Sequence, residues 1–215
     1  MADEQREAFQ NPASEILWGY LGVLDRIYGM YSDCVLATAV LAKRVEDLTE
    51  ANPGARIFFG RGRPDRDEAE YVHSVHRQEC IGRNSEGGGN HALLAQSTLV
   101  FAYSVWEHAR AAYADAVGQM TDGIKCDAMG DLRIYRNAIA HNEGVLDKPT
   151  SVLGFVALGE HIILSQLQME ELFSILFSEI SVLNERTVGE ALPVTFRRRL
   201  NPSGEFPNQS RSDAT

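Results

Sequence analysis

Several things are scarce in this chain, and each scarcity removes a class of protein. Only three cysteines occur in 215 residues, Cys34, Cys80 and Cys126, odd in number and widely spaced. That excludes a disulfide framework. With no C-x-x-C pair there is no zinc-ribbon or dithiol signature either, and a reducing cytoplasm is the expected setting. No apolar run is long enough to span a bilayer. The N-terminal M-A-D-E-Q-R-E is charged and lacks the apolar core of a secretory signal. A cytoplasmic protein without membrane association is therefore expected. Positive charge is short: 20 Lys and Arg against 30 Asp and Glu leave a formal net charge of −10 and a pI of about 5.1. Broad, nonspecific nucleic-acid binding needs a basic surface and is disfavoured, although a local basic groove is still allowed. There is no G-x-x-x-x-G-K phosphate loop, no G-x-S-x-G nucleophile elbow and no internal repeat.

What is present is helical periodicity. Hydrophobic content of 44% is ordinary for a globular chain, and the length suits one domain with a real core. Asn11-Pro12 is a helix start, an N-cap followed by proline at the first helical position. Leu17, Tyr20, Leu21, Leu24, Ile27, Tyr28 and Tyr31 then recur at steps of three and four, predicting one long helix over 12–50, bent at Gly29. Pro53, Gly54, Gly60, Gly62 and Pro64 make 51–65 a loop. Further helices are expected over 66–81, 91–117, 124–141 and 165–188. The last opens on the capping-box pattern Ser165-Gln166-Leu167-Gln168. Between the last two, V-L-G-F-V-A-L-G-E-H-I-I-L predicts a small β-hairpin near 152–164. The expectation is an all-α bundle of four to five helices carrying that hairpin. Residues 1–11 form a flexible N-terminus, 12–192 the helical domain, and 193–215 a disordered tail containing Arg197-Arg198-Arg199.

The stretch with most chemistry is D-L-R-I-Y-R-N-A-I-A-H-N-E-G, Asp131 to Gly144. Leu132, Tyr135 and Ile139 make one apolar helix face. Arg133, Arg136, Asn137 and His141 do not fit it. Asn137 and His141 are four apart, Arg136 lies round the shoulder of the same side, and Asn142 and Gly144 stop the helix just after His141. Arginine presents a permanently charged fork that suits phosphate oxygens, and histidine can move a proton near neutral pH. RNA supplies its own nucleophile, the 2′-hydroxyl, so such a set could cleave it without a metal. The competing reading is structural: an arginine bridging to a nearby acid and a histidine capping its own helix.

R-N-A-I-A-H resembles the R-N-x-x-x-H motif of HEPN-domain proteins, as do the flanking D-L-R-I-Y and N-E-G and the preceding Tyr103-Ser104-Val105-Trp106-Glu107. The resemblance covers roughly Pro12 to Gly189. It implies a helical, usually dimeric protein, with Arg136, Asn137 and His141 as catalytic residues and Glu107, Arg133 and Trp106 supporting them. Many HEPN proteins are metal-independent endoribonucleases of toxin–antitoxin or phage-defence systems, giving 2′,3′-cyclic phosphate and 5′-hydroxyl ends. No cofactor is implied. RNA is the implied partner, together with a second copy meeting the first at the motif and an antitoxin or operon protein. Other members only bind, so a non-catalytic dimerisation module for a nucleotide, RNA or protein is the alternative. Some HEPN toxins carry a modifiable tyrosine two residues after the motif histidine. Glu143 stands there in this chain.

Two further groups are candidates. Arg56, Arg61 and Arg63 concentrate positive charge in the 51–65 loop and could contact RNA, or could simply meet surface acids. His73, His76 and Cys80 would share one face of the helix expected over 66–81, at metal-ligand spacing but without an evident fourth ligand.

Overall fold

The computed structural model describes residues 9–48, 52, 54–61 and 70–193. The expectations for residues 1–8, for Arg63 and for the tail beyond Pro193 lie outside these. Among the described residues five α-helices carry the fold: α1 (Pro12–Leu48), α2 (Arg77–Asn84), α3 (Gly89–Ala116), α4 (Asp127–His141) and α5 (Gln166–Val188). A single 3-10 turn, Thr121–Gly123, links α3 to α4. The predominantly helical class expected from the periodicity is thus observed.

The 37-residue helix α1 organises the rest. Asn11 caps it, its side-chain oxygen accepting the Ala13 N–H at 2.9 Å, and the helix runs without interruption through Gly29. Of the expected apolar stripe, Leu17, Tyr20, Leu21, Leu24, Ile27 and Tyr31 are buried and Tyr28 is half-buried. Tyr20 packs its ring 5.4 Å from that of Trp106 and donates to the Ala102 carbonyl at 3.1 Å, while Tyr31 meets His91 at 3.2 Å. Contacts that advance along α1 retreat along α3, so these two helices are antiparallel. Tyr28 against Phe173 and Ser14 against Asn184 make α5 antiparallel to α1 as well. Asn184, fully buried, also accepts from Tyr113 at 3.1 Å and donates to the Glu190 carbonyl at 2.7 Å, tying α1, α3 and α5 at one end.

The capping box at the start of α5 is formed as expected. Ser165 Oγ accepts the Gln168 N–H at 3.2 Å, and Gln168 Oε1 accepts the Ser165 N–H at 2.9 Å. At the far end Gly189 takes the left-handed conformation, φ 77°, that closes a helix. Ser165→Ala should lower unfolding stability by about 1 kcal/mol, read as a lower urea midpoint at unchanged slope.

The sheet is small and stands elsewhere than expected. Two antiparallel strands, β1 (Arg56–Arg61) and β2 (Glu70–His76), occupy what the glycines and prolines mark as a loop and what the apolar spacing marks as the helix 66–81. Ile57 and Phe59 alternate inward on β1 and, with Val75, seat the hairpin on Val45 of α1 and Cys80 of α2. Gly60 falls at a register shift rather than ending the strand. Conversely, 152–164 forms no strands. Its one ladder-like element is an isolated bridge, Val145 to His161, with the Leu146 N–H bonded to Glu160 O and the Ile162 N–H to Gly144 O. At its two ends the backbone of 151–162 is bound by side chains instead, Asp131 and Tyr135 of α4 holding 151–153 and Gln96 of α3 holding the Ile162 carbonyl.

Candidate active site

Helix α4 runs antiparallel to α3 and presents its motif as the spacing predicts. Leu132, Tyr135 and Ala138 are buried, Ile139 is half-buried, and Arg133 and His141 are exposed. The stop is a tight reversal. The Asn142 and Gly144 N–H groups both reach the Ala138 carbonyl, at 2.9 and 3.0 Å. Glu143 and Gly144 adopt φ of 52° and 80°. The positive φ favours glycine at position 144, and a Cβ there would stand 3.0 Å from the Gln96 amide, which would have to give way slightly.

Arg136 is held on two sides. Its guanidinium carbon lies 4.9 Å above the Tyr103 ring, and Nη2 is 3.5 Å from Glu107 Oε1, with 26% of the arginine and 52% of the glutamate side chain exposed. Cation–π contact and ion pair fix the fork while part of it still faces solvent. Glu107 therefore serves Arg136 and not Arg110. Arg110 instead donates to the Ile124 carbonyl at 3.0 Å and lies 3.5 Å from Asp122. His141, five residues and about 7.5 Å along the axis from Arg136, has no hydrogen-bond partner among the described residues, and its imidazole is open to solvent. Asn137 is half-buried between them.

Trp106 stands behind the motif. It is 2% exposed and lies against Tyr20, on the core side of α3, so it backs the site rather than presenting a contact surface. The hairpin arginines are likewise placed apart from α4. Arg56 donates to His76 Nε2 and to Ser74 Oγ, both at 2.9 Å. Arg61 is exposed at the end of β1. The metal-ligand reading of His73, His76 and Cys80 fails because the two histidines sit on a strand. They accept from different arginines, His73 from Arg83 at 3.2 Å and His76 from Arg56, while Cys80 is buried on α2. Among the described residues no group of three or more His, Cys, Asp or Glu side chains could hold a metal.

One residue escaped the sequence reading. Asp131 is buried, and its Oδ2 accepts the N–H groups of Ser151, Val152 and Leu153 at 2.8, 2.5 and 2.9 Å. The Tyr135 hydroxyl donates to the Leu153 carbonyl. Together they strap the 149–153 loop to the motif helix. A signal was available: Asp131 lies four residues before Tyr135, on the face that Leu132 and Tyr135 declare apolar, and an acid there needs buried donors.

Beside this corner a cleft of about 630 Å³ opens between α3, the first half of α4 and the 149–151 loop. Burial pushes the Cys126 thiol in its wall up to about 11, so it carries little thiolate near neutral pH. Burial also raises Tyr20 and Tyr135 of the surrounding core, and Tyr31 to about 12. These groups fold in their neutral forms. The stability they contribute is complete below their ordinary values of 9.0 for the thiol and 10.0 for the phenols, and is lost as pH rises through the raised ones. The thermal midpoint should accordingly fall steadily as pH is taken from about 9 to about 12, most simply followed by far-ultraviolet circular dichroism.

Comparisons of the chain with protein-family models, curated proteins and solved structures found no match.

Proposed function

We propose that the chain is a metal-independent endoribonuclease of the HEPN type, acting in a toxin–antitoxin or phage-defence setting. The observation that carries this reading is the Arg136 guanidinium, fixed by Glu107 and Tyr103 yet partly open, on the same short helix as the freely exposed His141. His141 takes the proton from the 2′-hydroxyl, or gives one to the departing 5′-oxygen. Arg136 stabilises the charge that develops on the phosphate, and Asn137 positions the imidazole or a phosphate oxygen. The attacking oxygen belongs to the RNA, so the products are a 2′,3′-cyclic phosphate and a 5′-hydroxyl.

One imidazole cannot both remove and supply a proton in the same step. A symmetric dimer with the motif beside its axis would bring in a second imidazole and guanidinium. The surface for that contact is the outer face of α3, where Leu93 and Phe101, eight residues apart, are 61% and 51% exposed. Trp106 takes no part in it.

The test is incubation of the protein with RNA, with and without EDTA, beside His141→Ala. Cleavage that survives EDTA and vanishes in the variant supports the reading, and cleavage abolished by EDTA defeats it. The ion pair itself favours a second reading. Arg136 already has a carboxylate partner, as it would in a non-catalytic module that binds a nucleotide, RNA or protein. Tight RNA binding without product in the same experiment would select that alternative.

A further inference from the structure

The back of α1 has an unusual composition. Val35 to Ala42 reads V-L-A-T-A-V-L-A, apolar all round but for Thr38. A helix stretch of that kind is normally buried on every side. Here Val35 and Ala42 are buried, whereas Leu36 and Val40 are 64% and 58% exposed, and Ala37 and Ala39 are exposed beside them. These four lie off the stripe that meets the core, so α1 carries a second stripe turned to solvent.

The outward stripe runs at steps of three and four. Asp33, Leu36, Val40 and Lys43 form its middle, with Arg26 and Gly29 before them and Asp47 after, all exposed. From 26 to 47 it is about 32 Å long. That spacing is the seam of paired helices.

Its charges identify the partner. Read forward, Arg26, Asp33, Lys43 and Asp47 run plus, minus, plus, minus, with the apolar pair at the centre. Read backward, the signs are inverted. Turned end for end around position 38, Asp33 faces Lys43 of a second copy and Leu36 faces Val40. Asp47 faces Gly29, whose missing side chain leaves room for Arg26 of that copy to reach it. A parallel copy would set like charges against like. A surface that complements itself under a two-fold turn is what an isologous contact requires. The four charges also cancel, in a chain whose net charge of −10 otherwise repels its own kind. Within one chain Lys43 bridges to Glu46 at 3.3 Å and to Asp47 at 2.9 Å. Such exposed pairs are worth little, so its ammonium can turn to a new carboxylate. Asp33 has no ion-pair partner among the described residues.

We propose that a second copy of the chain docks antiparallel on this face, α1 against α1. The contact is distinct from the one suggested at the motif. On α3, Trp106 is turned toward α1, its ring meeting Tyr20, and Leu93 and Phe101 point about 140° away from it. On α1, Leu36 and Val40 point about 140–180° away from Tyr31, which meets His91 of α3. The two contacts therefore use opposite sides of the α1–α3 layer and can be made together, giving an assembly of four or more chains. The inference does not rest on the ribonuclease reading.

The test is sedimentation equilibrium at up to about 100 μM protein, with Leu93→Glu/Phe101→Glu as the starting chain. Those changes disable the α3 face, so any dimer that remains is the α1 pair. A dimer is expected, and a monomer throughout overturns the proposal. Adding Leu36→Glu and Val40→Glu should give a monomer; an unchanged dimer overturns it. Adding Asp33→Lys alone, or Lys43→Asp alone, should weaken the dimer about tenfold, and the two together should restore it, because each charge again faces its opposite. Single changes without effect, or a double change without recovery, overturn the antiparallel pairing. Circular dichroism checks the fold of each protein, and should the glutamate pair on α1 fail to fold, the charge variants decide.

Discussion

Arg136→Ala is expected to slow RNA cleavage by about 10²–10³-fold, the usual cost of deleting a group that meets charge in the transition state. The fold should survive. The Glu107 ion pair is largely at the surface and contributes no more than about 1 kcal/mol, while the residues that build α4 into the core are Leu132, Tyr135 and Ala138. Arg136→Lys should not rescue. An ammonium can approach Tyr103 and Glu107 but cannot offer the planar fork to two phosphate oxygens. His141→Ala should be at least as severe, because no other imidazole is at hand on the same helix. Initial rates on a labelled RNA, with thermal melts of each variant, are the measurement. If both alanine variants cut at the wild-type rate, the assignment of the motif is wrong even though the fold is as described.

The largest expected loss of stability is at Asp131. In Asp131→Ala three backbone N–H groups, of Ser151, Val152 and Leu153, lose their common acceptor. Only Leu153 is buried, and there an unsatisfied donor costs about 1–3 kcal/mol; Ser151 is exposed and Val152 half-buried, so their N–H groups can turn to water, and a total of about 2–4 kcal/mol is expected. That is a large share of the roughly 5–15 kcal/mol that holds a typical domain. Asp131→Asn should lose less, about 1–2 kcal/mol, because all three donors converge on one oxygen that an amide carbonyl can imitate without the charge. Urea unfolding of the two variants measures the difference. A loss below about 0.5 kcal/mol for alanine would show that the strap is not what holds the 149–153 loop.

The parts of the fold legible in the sequence are those in which neighbours in the chain settle the matter. Asn11-Pro12, the Ser165–Gln168 box and the Asn142–Gly144 stop act within a few residues, and each stands where the pattern puts it. The α4 faces follow from spacing alone. Errors arise where distant residues decide. In R-I-F-F-G-R the glycine suggests a break, yet Ile57 and Phe59 find Val45 and Val75 to pack on and a strand results. The apolar run 152–164 has strand composition. Its backbone, however, is claimed by Asp131 and Tyr135, some twenty residues earlier, and by Gln96, which donates to the Ile162 carbonyl at 3.0 Å. Spacing alone does not say which way Trp106 and Glu107, expected to support the motif together, each face. Adjacent helix positions diverge by about 100°, however, and the two side chains serve opposite masters, Tyr20 in the core and Arg136 at the site.

The hairpin rests on a core of its own. Val45, Val75 and Cys80 form a cluster distinct from the one that buries Leu17 to Val35. A single helix, α1, thus belongs to two cooperative units of unequal size. Its first two-thirds opens only with the whole bundle, whereas its last turns can unzip with β1, β2 and α2 while the large core is intact. Amides of the hairpin are therefore expected to exchange with water through a shallow local opening, and those around Leu17 to Ile27 only through global unfolding, as native-state hydrogen exchange would read. Opening of the hairpin is then expected to leave the helix that holds Arg136 and His141 in place.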